Sequence, residues 1–321
     1  MEGAKRSYHI LRKTGFFGYI VPNSITRVGQ FGKIRKFLLE KTDLWHVVDE
    51  ESPFIGVTLE MVTLFFKKDI PTNRKVWVKS RRNIEKRENY VSKQIFRRFN
   101  WFILYCDEIF ENMINNSLFG FVDGIRGGDI PKKIVSTQKT NIHKFLYLYS
   151  GKSVKKYYID LNEVNYVTNF FKKSKTFTEE FKHERLISTK IYPYPRCVIK
   201  PRNVLFGAGI IKLVFNEEKA DKKYLCLLLN SSLIEYFCRK YLMNFSKLTM
   251  NLNTGILPNI PIKLLPTQKP FIILADYMLF LNATEERRTK EKELIEFVDR
   301  RICLLYTSDA ADEGLGVDLG G

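Results

Sequence analysis

Phe16-Phe-Gly-Tyr-Ile-Val-Pro22, Phe31-Gly-Lys-Ile-Arg-Lys-Phe-Leu-Leu39, Leu44-Trp-His-Val-Val48 and Met61-Val-Thr-Leu-Phe-Phe66 follow one another in an order that decides the fold class. The first is an apolar run stopped by a proline, which predicts a buried strand. In the second, Ile34, Phe37 and Leu38 recur at helical spacing with basic residues between them. The third and fourth predict two further strands, joined by a loop that holds Pro53 and Gly56. Tyr8 to Arg12 reads as a helix end closed by Gly15. Strand, helix, strand, strand is the order expected at one edge of a mainly parallel α/β sheet. Residues 1–68 are assigned to it.

Outward from that stretch the character changes. Lys79-Ser-Arg-Arg-Asn-Ile-Glu-Lys-Arg87 is dense in charge, and residues 69–110 read as a linker and the start of a second domain. Short apolar runs alternating with turn residues make 111–265 a mixed α+β domain. Within it, residues 221–243 read as one helix, with Asp221 as its cap and Leu225, Leu228, Leu229 and Phe237 on its apolar face. Leu257-Pro-Asn-Ile-Pro261 reads as an extended stop. Residues 266–302 are expected to be C-terminal helices, exposed where Glu285 to Glu293 is highly charged.

Composition narrows the partners. Lys and Arg outnumber Asp and Glu by 53 to 35, a net charge of +18, and 45 % of the residues are hydrophobic. That surplus points to nucleic acid or an anionic membrane surface. No apolar run reaches the roughly 18 residues of a spanning helix, and Met1 to Lys13 is charged, so a membrane is not expected and a cytoplasmic location is. Cysteines at 106, 197, 226, 238 and 303 form no Cys-x-x-Cys pair, and His9, His46, His143 and His183 lack metal spacing. Asp123, Asp129 and Asp160 do not form a nuclease signature. Cys303-Leu-Leu-Tyr-Thr-Ser-Asp-Ala-Ala-Asp-Glu313 resembles translated sequencing adapter, and residues 303–321 are expected to have no packed structure. Without its acids Asp309, Asp312, Glu313 and Asp318 the charge is 53 − 31 = +22.

Four stretches resemble the type II adenine-specific DNA methyltransferases with a TaqI-like specificity domain, which include fused restriction–modification enzymes. They are Gly15 to Ser24 with Gly32 to Leu38; Phe119-Gly-Phe-Val-Asp-Gly-Ile-Arg-Gly-Gly-Asp129; Phe145-Leu-Tyr-Leu-Tyr-Ser-Gly-Lys-Ser-Val-Lys-Lys-Tyr-Tyr158; and Tyr224-Leu-Cys-Leu-Leu-Leu-Asn-Ser-Ser-Leu233 with Phe245-Ser-Lys-Leu-Thr249 and Leu257 to Pro261. The resemblance implies the α/β edge of a Rossmann-like methyltransferase domain, then an α+β target-recognition domain and C-terminal helices. It implies S-adenosylmethionine as cofactor of an intact parent and double-stranded DNA as partner. The family's catalytic Asn-Pro-Pro-Tyr, which holds a flipped adenine, has no counterpart here, and no loop matches its cofactor loop. Gly207-Ala-Gly209 reads as a turn. The expectation is therefore a fragment with no catalytic residues and no bound cofactor, whose partner is a missing N-terminal catalytic half. A non-catalytic specificity subunit and an inactive gene remnant are the alternatives.

Six residues are candidate DNA contacts: Arg126, Lys152, Lys155, Lys156, Tyr157 and Lys247. Gly124-Ile-Arg-Gly-Gly-Asp129 lets the backbone approach DNA, with Arg126 reaching phosphate or base, or it is an ordinary turn. Lys152, Lys155 and Lys156 with Tyr157 and Tyr158 form a basic-aromatic strip for phosphates, or a strand edge guarded by lysines. Ser246, Lys247 and Thr249 position a phosphate, or form a turn that ends a helix. Arg81, Arg82, Lys86 and Arg87 read as a solvated charge run.

Overall fold

The computed structural model describes residues 2–84, 88–169, 172, 174–247, 252 and 255–307. They belong to two compact units: Met1–Glu111 with Arg239–Met250, and Asn112–Cys238 with Asn251–Gly321.

The first unit is built on a five-stranded sheet of order β1-β3-β2-β4-β5. Its strands are β1 (Phe16–Pro22), β2 (Asp43–Glu51), β3 (Met61–Lys67), β4 (Val76–Ser80) and β5 (Glu88–Val91), with helices α1 (Glu2–Ile10), α2 (Gly32–Lys41) and α3 (Lys93–Phe99). The helix between β1 and β2 forms where the spacing predicts, and Ile34, Leu38 and Leu39 are buried. Two expectations fail. The sheet is not mainly parallel: β3 runs antiparallel to both β1 and β2, β5 is antiparallel to β4, and β2 with β4 is the parallel pair. Nor is β1 buried. It is an edge strand, and Phe16, Tyr19 and Ile20 are exposed despite their apolar character.

Residues 69–110 are not a linker. They contribute β4, β5 and α3 to the first unit. The charge run 79–87 is only partly solvated, since Arg82 is 4 % exposed at its side chain and bonds Asp49 at 2.6 Å and Glu60 at 3.1 Å. Lys86 and Arg87 lie outside the described residues. Around Arg82, Asp49 accepts from Tyr105 at 2.7 Å, and Glu60 accepts from the Ser246 hydroxyl and from the Lys247 backbone at 2.9 Å. Arg27 donates to Ser246 at 2.7 Å. Buried charge is tolerated when its donors and acceptors are satisfied, as they are here. A second buried pair joins Lys93 to Asp43 at 2.5 Å. Burial alone raises the Asp43 carboxyl, but bonds from Lys93, Trp45 and Thr72 outweigh it and hold the group at about 2.

Residues 239–247 complete this unit from far along the chain. Asn244 accepts from Leu104 N at 2.9 Å and donates to Phe102 O at 2.8 Å. Asn244 and Phe245 both adopt positive φ, 49° and 54°. A phenylalanine holds that conformation only where its surroundings fix it, and the Asn244 bonds do so.

The second unit holds two four-stranded sheets, β11-β10-β13-β6 and β12-β8-β9-β7. The strands are β6 (Asp123–Arg126), β7 (Val135–Ser136), β8 (Phe145–Leu148), β9 (Asn165–Val167), β10 (Arg185–Thr189), β11 (Cys197–Lys200), β12 (Val204–Phe206) and β13 (Ile210–Val214). Leu148, Val154, Ile187, Val198, Phe206 and Ile210 form the core between them. The predicted helix 221–243 is broken. Asp221 caps α6 (Lys222–Asn230) with a bond from Lys223 N at 2.7 Å, but Ser231 then caps a new helix, α7 (Ser232–Phe237), and a π-helical turn follows over Cys238–Leu242. A serine that can accept from Ile234 N competes with helix continuation. Leu257–Asn259 is a 3-10 turn rather than extended chain. The last helices, taking α4 as Glu108–Asn115 and α5 as Lys175–Lys182, are α8 (Lys269–Leu281), the exposed α9 (Glu285–Lys290) and α10 (Lys292–Thr307). α10 carries helix past Ile302 into the adapter-like tail, and the Cys303 sulfur sits 3.5 Å from the Ser232 hydroxyl. Residues 308–321 lie outside the described residues.

Candidate nucleic-acid interface

The Gly-rich stretches of the second unit converge. The chain leaves β12, turns through Gly207-Ala208-Gly209 and enters β13, passing from one sheet to the other. The expected turn is thus a hub. Gly207 N donates to Leu148 O at 2.9 Å, Lys190 N donates to Gly209 O at 3.0 Å, and Gly127 N donates to Ile210 O at 3.0 Å. Close approach requires glycine here. A Cβ on Gly151 would run into the Thr189 hydroxyl and lie 3.0 Å from Gly209 O, and one on Gly207 would run into the Tyr147 hydroxyl. Close packing of this kind leaves no space for added atoms. Gly207 and Gly209 are therefore filled by protein, and they do not fit a cofactor cradle.

Two cations project from this hub. Arg126 ends β6, the edge strand of its sheet, with its side chain 53 % exposed. Its Nε donates to Ala208 O at 3.4 Å, and its Nη2 donates to the two carboxylate oxygens of Asp129 at 3.2 and 3.3 Å. Lys152 lies in the 3-10 turn after Ser150, whose hydroxyl accepts from Lys152 N at 3.3 Å. Its side chain is exposed and makes no ion pair among the described residues.

The rest of the basic-aromatic strip is not a surface of the same kind. Residues 154–159 form a tight bend closed by a Val154–Ile159 bridge. Tyr157 plugs it into the core: it is 6 % exposed, has φ of 71°, and its hydroxyl donates to Leu227 O at 3.4 Å. Burial raises that hydroxyl's pKa well above the ordinary tyrosine value. Tyr157 is unavailable to stack on a base or touch a phosphate. Lys155 and Lys156 are half-buried, paired with Asp160 at 3.6 Å and Glu235 at 2.9 Å, and Lys156 also lies over the Tyr194 ring. Lys247 belongs to the first unit. Its side chain is 81 % exposed and 3.5 Å from Glu51. Thr249 lies outside the described residues. Sequence reasoning missed Asp129 as Arg126's partner, although an acid three residues on was a visible signal, and it missed Ala208 as a backbone acceptor.

The segment that builds the hub can be compared with known families. Residues 146–262 match the TaqI-like C-terminal specificity domain. The match takes in Lys152 to Tyr158, the Gly207–Gly209 hub and α6, while Arg126 and Asp129 lie outside it, well before its first residue. No curated protein matches the chain. Among solved structures, a nuclease-deletion mutant of the Type ISP restriction-modification enzyme LlaGI in complex with a DNA substrate mimic is 12 % identical, with a TM-score of 0.50 over 88 % of this chain and 36 % of that one. The DrdV–DNA complex is 11 % identical, with a TM-score of 0.46 over 88 % and 39 %. The type IIG restriction endonuclease BpuSI is 10 % identical, with a TM-score of 0.38 over 93 % and 48 %. The chain spans less than half the length of each of these three. The LlaGI likeness speaks to the fold alone. No helix among the described residues is long and apolar enough to cross a membrane.

Proposed function

We propose that the second unit reads a site in duplex DNA on behalf of a restriction-modification system. The match of residues 146–262 to a specificity domain carries this reading, because the matched segment builds the hub from which Lys152 projects and against which Arg126 leans. The net charge of +18 supports it. Lys152 and Lys247 suit phosphate contacts, and Lys155 and Lys156 contribute less because each already holds a carboxylate.

The finer reading is that the system methylates adenine with S-adenosylmethionine, and that the first unit belongs to the edge of the methyl-transfer sheet. Its support is topological. β1 and β2 run in the same direction with α2 between them, and β3 is inserted antiparallel. The exposed apolar edge at β1 suits further strands from a catalytic half. Gly207 and Gly209, packed by protein, do not suit a cofactor cradle, and no step of methyl transfer is derived through this chain. Such a cytoplasmic assembly would acquire its chemistry from the catalytic half and its site selection from this chain.

The test is anisotropy titration of the full chain with a labelled duplex pool carrying a random core. Binding at low salt that weakens linearly on a log–log plot, by about 0.9 per phosphate contact, is the expected result. A folded chain without duplex affinity at low salt would falsify the reading.

A further inference from the structure

Arg126 is held by only one of its two donor edges. In a guanidinium, the N–H of Nε and one N–H of Nη2 point the same way along the side of the group. The second N–H of Nη2 and one N–H of Nη1 form a parallel pair at its end. The side edge is engaged, Nε with Ala208 O at 3.4 Å and Nη2 with Asp129 at 3.2 and 3.3 Å. No described residue accepts from Nη1, at the end of the group, and the side chain is 53 % exposed at the end of an edge strand. A fixed two-donor fork fits two acceptors side by side, which a phosphate and the O6 and N7 of guanine both offer.

Asp129 decides between them. Its carboxylate is 76 % exposed beside the fork. It repels an incoming phosphate, whereas a base pair can satisfy both residues at once. Across the major groove a G·C pair presents two guanine acceptors and then the N4 amino donor of cytosine. Arginine's fork meets the acceptors, and the carboxylate accepts from the amino group. No other base pair offers that order. We propose that Arg126 and Asp129 together read the major-groove edge of one G·C pair, with Ala208 O and Asp129 holding the fork in place. This rests on the reading of the second unit as a DNA-recognition domain, and it names the base pair recognised there.

The experiment selects binding sites from duplexes with a random core, using the full chain and its R126K and D129N variants. The wild type is expected to enrich sites with one position fixed as guanine. R126K keeps the charge and loses the fork, so it should lose the preference at that position. Replacing that guanine by 7-deazaguanine removes the N7 acceptor and should weaken the wild type by roughly tenfold, with no further effect on R126K. D129N should bind the unselected pool more tightly, having lost a repelling charge, while discriminating less at the fixed position. A merely structural role for Asp129 would lower both. An R126K variant that retains the consensus, or weakens all duplexes alike with a shallower salt slope, overturns the proposal and leaves duplex binding standing. A wild type that binds no duplex overturns both.

Discussion

Arg82 and Arg126 each face an aspartate, at 2.6 and 3.2 Å, and their circumstances are opposite. Arg82 is 4 % exposed among Asp49, Glu60 and the Phe245 carbonyl. Arg126 is 53 % exposed, and its Nη1 has no partner among the described residues. Arg82 is saturated by its buried partners, while Arg126 is held but not saturated. The same pair of residue types is buried structure in one place and, on the proposal above, a base contact in the other, because burial sets what its removal leaves behind.

That contrast can be broken most severely at Arg82. Its replacement by methionine keeps bulk but leaves Asp49 and Glu60 without their shared partner, which costs about 3–5 kcal/mol for a buried ion pair. Urea unfolding should show that loss. A loss below about 1 kcal/mol would mean that the network is solvated and that the two arginines do not differ. The next largest effect belongs to the hub. Gly151→Ala drives a methyl into Thr189 and should lower stability by about 1–3 kcal/mol, and Gly151→Ala with Thr189→Ser should recover little because the oxygen that blocks the Cβ remains.

A third measurement tests burial inside the second unit. Lys200 is 0 % exposed and donates to the carbonyls of Pro201 and Val204, each at 2.9 Å. Burial lowers its pKa to about 8. Below that value both folded and unfolded chains carry the proton. Between about 8 and the ordinary lysine value of about 10.4 the unfolded chain binds more protons, so stability should rise with pH across that window, by at most about 1.4 kcal/mol per unit. The slope should vanish in Lys200→Met. The smallest effects are expected on the surface. Lys152→Ala should leave stability unchanged and reduce the salt slope of duplex binding by about 0.9. Lys156→Ala should barely alter that slope and should lower stability by less than about 1 kcal/mol through the pair with Glu235. Equal slopes for the two variants would erase the distinction between held and available lysines.

Much of this was readable in the residues. Local signals worked where short-range physics decides: the α2 spacing of Ile34 and Leu38, the Asp221 cap, and the turn at Gly207-Ala-Gly209. They failed where a distant partner decides. Nothing local separates Arg82 from Arg81, yet the first is buried against Asp49 and Glu60 and the second pairs with Glu50 with two-thirds of its side chain exposed. Tyr157 reads like Tyr158 in the sequence, but the bend that brings it beneath α6 exists only once Cys197 and Leu227 are in place. The antiparallel insertion of β3 was hidden for the same reason, since order along the chain does not set order in a sheet.

The return of residues 239–247 to the first unit sets a timetable for synthesis. A ribosome releases the five strands of that sheet long before it releases Asn244 and Ser246. Until then Leu104 N and Phe102 O await the Asn244 side chain, and Arg27 and Glu60 await the Ser246 hydroxyl. The whole of Asn112–Cys238 must emerge in the interval. Domains usually mature from the N-terminus onward, but here the earlier one stays open while the later one is made, and a nascent chain stalled before Arg239 would present it to proteases unfinished.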